Sequence, residues 1–190
     1  MIVIDNYDSF TYNIVEYLKE LGVNPKVFKN DEITIKELKN MDFESLIISP
    51  GAGNPYDKNW LGVCDDVLDK FYQTKKILGI CLGHQLVARY FGAKVVQDKN
   101  PYHGKVSKIN ILKDSLLFKG ITDNFDATRY HSLKVDTESL PDCIVPLAKT
   151  EDGILMALKI KGYNVFGVQY HPEAILTQYG HELLRNFIEL

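Results

Sequence analysis

Only three cysteines, Cys64, Cys81 and Cys143, occur in the 190 residues, an odd number with no CxxC spacing among them. That excludes a disulfide framework and a zinc ribbon, and it fits a reducing compartment, the cytoplasm. No apolar run approaches the ~18 residues of a membrane span. The opening "MIVIDNYDSF" reaches Asp5 too soon for a secretory leader, so neither a membrane partner nor export is expected. Cationic excess is missing as well: 22 Lys and Arg face 25 Asp and Glu, for a net charge of -3. No nucleic-acid partner is expected from such a balance. The segment "ISPGAGNP" (48–55) lacks the Gly-Lys-Ser/Thr of a phosphate loop and the third glycine of a dinucleotide fingerprint. No metal or other cofactor is expected. No linker rich in Gly, Ser or Pro divides the chain, and its 45% hydrophobic and 25% charged residues suit one globular domain over residues 1–190.

What is present is a regular alternation. Short apolar runs, "IVI" (2–4), "LII" (46–48), "ILGI" (77–80) and "FGVQY" (166–170), read as buried strands. Amphipathic patterns lie between them: "TYNIVEYLKELG" places Ile14, Leu18 and Leu21 on one face, with Gly22 as a stop, and "VCDDVLDKFY" repeats the spacing through Val63, Val67 and Phe71. Such alternation predicts an α/β fold, an open, mostly parallel sheet with helices on both faces. From "KVSKINIL" (105–112) to "ILMALKI" (154–160) the runs are strand-like without helices, so antiparallel additions to the sheet are expected there. "GHELLRNFIEL" predicts a final helix.

The chemistry concentrates at "LGICLGHQL" (78–86). "ILGI" ends at Cys81 and "HQLVARYFG" has helical spacing, so Cys81 falls where a strand turns sharply into a helix. Gly79-Ile80-Cys81-Leu82-Gly83 has the form of the Gly-x-Ser-x-Gly nucleophile elbow with sulfur in place of oxygen. The helix N-terminus favours thiolate over thiol, and the Leu82 backbone N–H becomes an oxyanion donor. A free cysteine in an apolar stretch is ordinarily a packing residue; the paired glycines reverse that expectation for Cys81 and leave it standing for Cys64 and Cys143.

A thiolate enzyme needs a base, and one of five histidines comes with its own orienter. In "QYHPEA" (169–174), Pro172 favours an extended His171. Residues i and i+2 of an extended chain share a side, so Glu173 can hold one ring nitrogen while the other faces sulfur. His84, in a C-x-x-H spacing, lacks a second close pair to complete a metal site and reads as a packing residue; His103 and His181 read as surface or structural. The loop "ISPGAGNP" can offer a second oxyanion donor, the N–H of Gly53.

Together these segments resemble, from end to end, the class I (triad-type) glutamine amidotransferases. "GICLGHQ" is similar to the family's nucleophile motif, "HPEA" to its His and Glu pair, "SPGAG" to its oxyanion loop and "RYHSL" (129–133) to a glutamine-binding segment. "IDNYDSFTYNI" (4–14) and "YHGK" (102–105) resemble the chorismate-using branch, the glutaminase subunits of anthranilate or aminodeoxychorismate synthase. The resemblance implies that Cys81, His171 and Glu173 hydrolyse L-glutamine, that Gly51, Ala52, Gly53, Gln85, Ser132 and Leu133 hold it, and that the ammonia passes to a chorismate-using synthase subunit. Anthranilate formation for tryptophan is the first expectation and aminodeoxychorismate formation for folate the alternative. A regulatory subunit without catalysis would have a damaged triad, whereas all three side chains are present. Departures are small: Ala52 stands where proline is commoner, and Tyr170 and Ala174 stand where Phe and Ser are commoner, none of them a reacting group.

Overall fold

The computed structural model describes residues 1–190. In chain order the elements are β1 (Ile2–Asn6), α1 (Thr11–Glu20), β2 (Lys26–Lys29), α2 (Ile35–Lys39), β3 (Ser45–Gly51), α3 (Lys58–Leu61), α4 (Cys64–Phe71), β4 (Lys76–Ile80), α5 (Leu82–Tyr90), β5 (Val95–Gln97), β6 (Lys105–Ile111), β7 (Asn124–Arg129), β8 (Leu133–Val135), β9 (Ile144–Thr150), β10 (Leu155–Ile160), β11 (Val165–Val168) and α6 (Gly180–Glu189). Nine strands form one sheet in the order β2-β1-β3-β4-β11-β10-β9-β6-β7, and β5 and β8 form a separate pair.

The strands from β2 to β11 run parallel, and β10, β9, β6 and β7 extend that sheet antiparallel. This is the α/β architecture expected from the alternation, with the additions where the middle of the chain turns strand-rich. Strand side chains alternate between faces. Ile2, Ile4, Leu46 and Ile48 pack with α2, α4 and α5 residues such as Leu38, Val67 and Leu86. Val3 and Ile47 point the other way, against Ile14 and Leu18 of α1 and Leu183, Leu184 and Phe187 of α6. Both faces being covered, the central strands read as unbroken apolar runs, each buried Ile or Leu contributing about 1.5–3 kcal/mol.

α1 stops where the sequence indicated, Gly22 taking φ +82° after it. Its start differs from a simple Asp8 or Ser9 cap: Phe10 occupies the N-cap position without a side-chain bond, while Asp8 Oδ1 accepts from the Phe10 N–H at 2.8 Å and Asp5 Oδ1 accepts from the Thr11 hydroxyl at 2.7 Å. Because β1, β3, β4 and β11 run parallel, their carboxyl ends meet at one edge, which gathers the segments after Asn6, Gly51, Ile80 and Val168. In open α/β sheets such an edge is where ligands bind.

Candidate active site

Cys81 follows β4 and precedes α5 with φ +52°, ψ -99°, outside the regions an L-residue prefers. The flanking glycines explain how the turn closes. A Cβ on Gly79 would lie 2.2 Å from the Gly83 carbonyl oxygen, and one on Gly83 2.3 Å from that of Ile48, so any side chain at either position would collide with backbone. The strained backbone at Cys81, worth about 1–3 kcal/mol, aims the sulfur into a cleft at the sheet edge.

Register brings the histidine to it. β4 and β11 pair in parallel with Ile80 opposite Val168, and the Cys81 N–H donates to the Val168 carbonyl at 2.9 Å. Cys81 is one residue past its strand and His171 three past its own. Although buried, His171 is fixed from several sides: its N–H donates to the Thr128 carbonyl at 3.0 Å and its carbonyl accepts from the Thr177 hydroxyl at 2.7 Å. Nδ1 lies 2.6 Å from Glu173 Oε1, both side chains being buried. Nε2 has no nitrogen or oxygen partner. Burial alone would favour the neutral ring, but the Cys81 sulfur and then Glu173 outweigh it and hold the His171 pKa well above the ordinary value. Such a shift favours the imidazolium form of His171.

The cleft, about 320 Å³, is lined by Cys81, Gly51, Ala52, Gly53, Gln85, Ser132 and Leu133 together with Asn54, Gln97, Tyr130 and His131. Leu82 opens α5 beneath the loop: its Cδ2 lies 2.8 Å from where a Gly51 Cβ would stand, so the end of β3 rests on the residue after the cysteine. Gln85 Nε2 donates to the Leu133 carbonyl at 3.0 Å and to Gln169 Oε1 at 3.1 Å, bracing the segment across the cleft. His84 and His181 fall as read: His84 is fully buried, and burial drives its pKa down to about 3 although the Gly167 backbone favours its proton, while His181 stacks on Tyr17 at the surface. Cys64 is buried at 3.2 Å from Asn6 Oδ1, a packing residue.

Sequence reasoning missed the aromatic wall around the base. Phe10 and Tyr130 meet the His171 ring edge-on at centroid distances of 5.8 and 5.0 Å. It also missed Arg129, buried behind the cleft. Neither has a local signal, because each becomes meaningful only through a neighbour distant in sequence.

The family model of glutamine amidotransferase class-I matches residues 2–190. Anthranilate synthase component 2 of Saccharolobus solfataricus is 44% identical over 189 residues, covering 98% of this chain and 96% of that protein. The aminodeoxychorismate/anthranilate synthase component 2 of Bacillus subtilis is 44% identical over 189 residues, covering all of this chain and 95% of that protein. A bifunctional protein TrpGD of Thermotoga maritima is 45% identical over 192 residues, but this chain spans only 32% of its length. In structure, a glutamine amidotransferase of Thermotoga maritima superposes with a TM-score of 0.77 at 18% identity, covering 99% of this chain and 95% of that one, a likeness of fold. The chain is a member of the class-I glutamine amidotransferase family.

Proposed function

We propose that this protein is the glutaminase subunit of a chorismate-using synthase, hydrolysing L-glutamine and passing ammonia to a partner subunit, with anthranilate as the product. The observation that carries the reading is the strained Cys81 set by strand register against a buried His171–Glu173 pair. Full-length likeness to proteins named anthranilate synthase component 2 supports the branch, and the match over 2–190 supports one glutaminase unit over residues 1–190.

In this mechanism the Cys81 thiolate attacks the side-chain amide carbon of glutamine. The oxyanion that forms is met by the N–H groups of Leu82 and Gly53, while Gly51, Ala52, Gln85, Ser132 and Leu133 hold the substrate. His171 gives the Nε2 proton to the departing nitrogen, ammonia leaves, and a glutamyl thioester remains. The neutral ring then takes a proton from water, whose hydroxide attacks the thioester, and glutamate leaves as the sulfur regains its charge. Glu173 keeps Nδ1 protonated and stabilises the imidazolium throughout.

A partner is part of the reading. Exposed apolar side chains stand near the site: Trp60 lies against Gly53, and Ile175 and Leu176 line a neighbouring pocket with Tyr130 and Glu173. Docking there couples hydrolysis to demand, and the Gly51-Ala52-Gly53 loop is the element that responds. The aminodeoxychorismate alternative is favoured by one observation, that the Bacillus subtilis relative is named for both products.

The test reconstitutes the protein with its synthase subunit and supplies chorismate with either glutamine or ammonium salt. Cys81→Ala should abolish synthesis from glutamine and spare synthesis from ammonium, with Cys64→Ala and Cys143→Ala active from both. Glutamine-dependent synthesis by Cys81→Ala at the native rate would refute the assignment, and the product identified by mass separates the two branches.

A further inference from the structure

Behind the cleft lies a buried polar layer that the reaction itself does not use. Arg129, at the end of β7, is 1% exposed, its guanidinium carbon 3.4 Å from the centre of the Tyr102 ring. Nη1 donates to Ser107 Oγ at 3.1 Å and Nε donates to His131 Nε2 at 3.0 Å. A guanidinium has donors only, so His131 Nε2 must present its lone pair and the ring proton must sit on Nδ1. Nδ1 is 2.9 Å from the Leu133 carbonyl oxygen. The arginine thus dictates the tautomer, and the tautomer dictates that His131 donates to Leu133. Burial and then the Arg129 charge lower the His131 pKa to about 4, which keeps the ring neutral.

Every carbonyl of the segment is engaged. That of His131 accepts from the Tyr102 N–H at 2.9 Å and that of Ser132 from the Asp98 N–H at 2.8 Å, while that of Leu133 accepts from both His131 and Gln85. Ser132 and Leu133 face the cleft, the first just before and the second at the start of a β8 strand of three residues, too short to hold its own geometry. The "YHGK" motif is absorbed here too: Tyr102 covers the guanidinium, and the Gly104 N–H donates to the Arg129 carbonyl at 3.0 Å with Gly104 at φ +68°.

We propose that Arg129 and His131 are positioning residues for glutamine, a charge-fixed relay from the Arg129 guanidinium through the His131 ring to the Leu133 carbonyl that sets the substrate-binding backbone of Ser132 and Leu133. The inference rests on the reading of that backbone as glutamine-binding. The bland alternative is a buried pair that only stabilises the turn from β7 to β8.

Two substitutions separate these roles, because asparagine and glutamine each replace a different ring nitrogen. In His131→Gln the amide oxygen takes the place of Nε2 and still accepts from Arg129, but residue 131 no longer donates to Leu133, whose carbonyl keeps only the Gln85 donor. In His131→Asn the amide nitrogen takes the place of Nδ1 and still donates to Leu133, but Arg129 loses its acceptor. With the reconstituted complex, His131→Gln should raise KM for glutamine about tenfold, equivalent to ~1.4 kcal/mol, at a melting temperature near the native one. His131→Asn should keep KM within about twofold while melting earlier, because a buried donor is left unpaired. Synthesis from ammonium should be unchanged in both. If KM instead follows melting temperature in both variants, or His131→Gln leaves KM unaltered, the relay is refuted and the pair is structural. Failure of the underlying reading looks different: the native complex would then make no product from glutamine, or Cys81→Ala would still make it.

Discussion

Replacing Glu173 by glutamine keeps the shape of the base's partner and removes its charge. In the native protein the 2.6 Å contact to His171 Nδ1 is buried on both sides, and Glu173 Oε2 has no hydrogen-bond partner of its own. The glutamine amide therefore has two poor choices. With its oxygen toward Nδ1 the ring keeps the right tautomer, but a charge-assisted bond becomes a neutral one, a loss of about 1–1.5 kcal/mol, and the amide NH2 is buried where no acceptor stood. With its NH2 toward Nδ1 the proton is driven to Nε2 and the ring can no longer accept from there, a loss that in other triads reaches ~10⁴ in rate. The first orientation gives about a tenfold loss, so Glu173→Gln should retain a measurable rate about 10- to 100-fold below native, whereas Glu173→Ala, which leaves an uncompensated buried charge worth about 3–5 kcal/mol, should fall further. Stability adds a second reading. The folded His171 pKa lies above its unfolded value of ~6.5, against burial, through the Cys81 sulfur and Glu173. Such a group contributes stability that is complete below about pH 6.5 and is lost as pH rises through the folded pKa. Native protein should therefore exceed Glu173→Gln in urea stability by most near pH 6, and the gap should narrow at alkaline pH. Measured together, single-turnover labelling of Cys81 by a glutamine-analogue electrophile and urea melts across pH decide the matter. Native labelling rates in Glu173→Gln with a pH-independent stability gap would refute the reasoning.

Two further outcomes follow from packing. Gly83→Ala, whose Cβ would lie 2.3 Å from the Ile48 carbonyl, should cost more than about 3 kcal/mol in urea unfolding or prevent folding, whereas Gly120→Ala, with φ +75° but open space around it, should cost only about 1 kcal/mol; equal losses would show that the elbow yields to a side chain. Cys64, pushed up to about 12 by burial and then by Asp65, should resist iodoacetamide at pH 8 until the protein unfolds, and rapid native-state alkylation found at Cys64 by mass spectrometry would contradict its burial.

The sequence alone determined whatever depends on neighbours a few residues apart. The Gly79-Ile80-Cys81-Leu82-Gly83 elbow was legible because its glycines answer a local crowding of backbone, and the His171–Glu173 contact because two residues in extended chain share a side. The alternation of apolar runs and amphipathic stretches was enough for the α/β layers and for the antiparallel extension. What only the tertiary structure decided is which distant segments meet. Sheet order places β4 beside β11 with Ile80 opposite Val168, and this hydrogen-bonded register, which no local pattern encodes, sets His171 against Cys81. The segment "RYHSL" gave Arg129 no role of its own, which comes only from Tyr102 and His131 packing over it, and the three-residue β5 and β8 were too short to announce themselves. A buried charge becomes interpretable through the groups that surround it, and those are assembled by long-range packing, whereas a turn carries its own steric reason within its five residues.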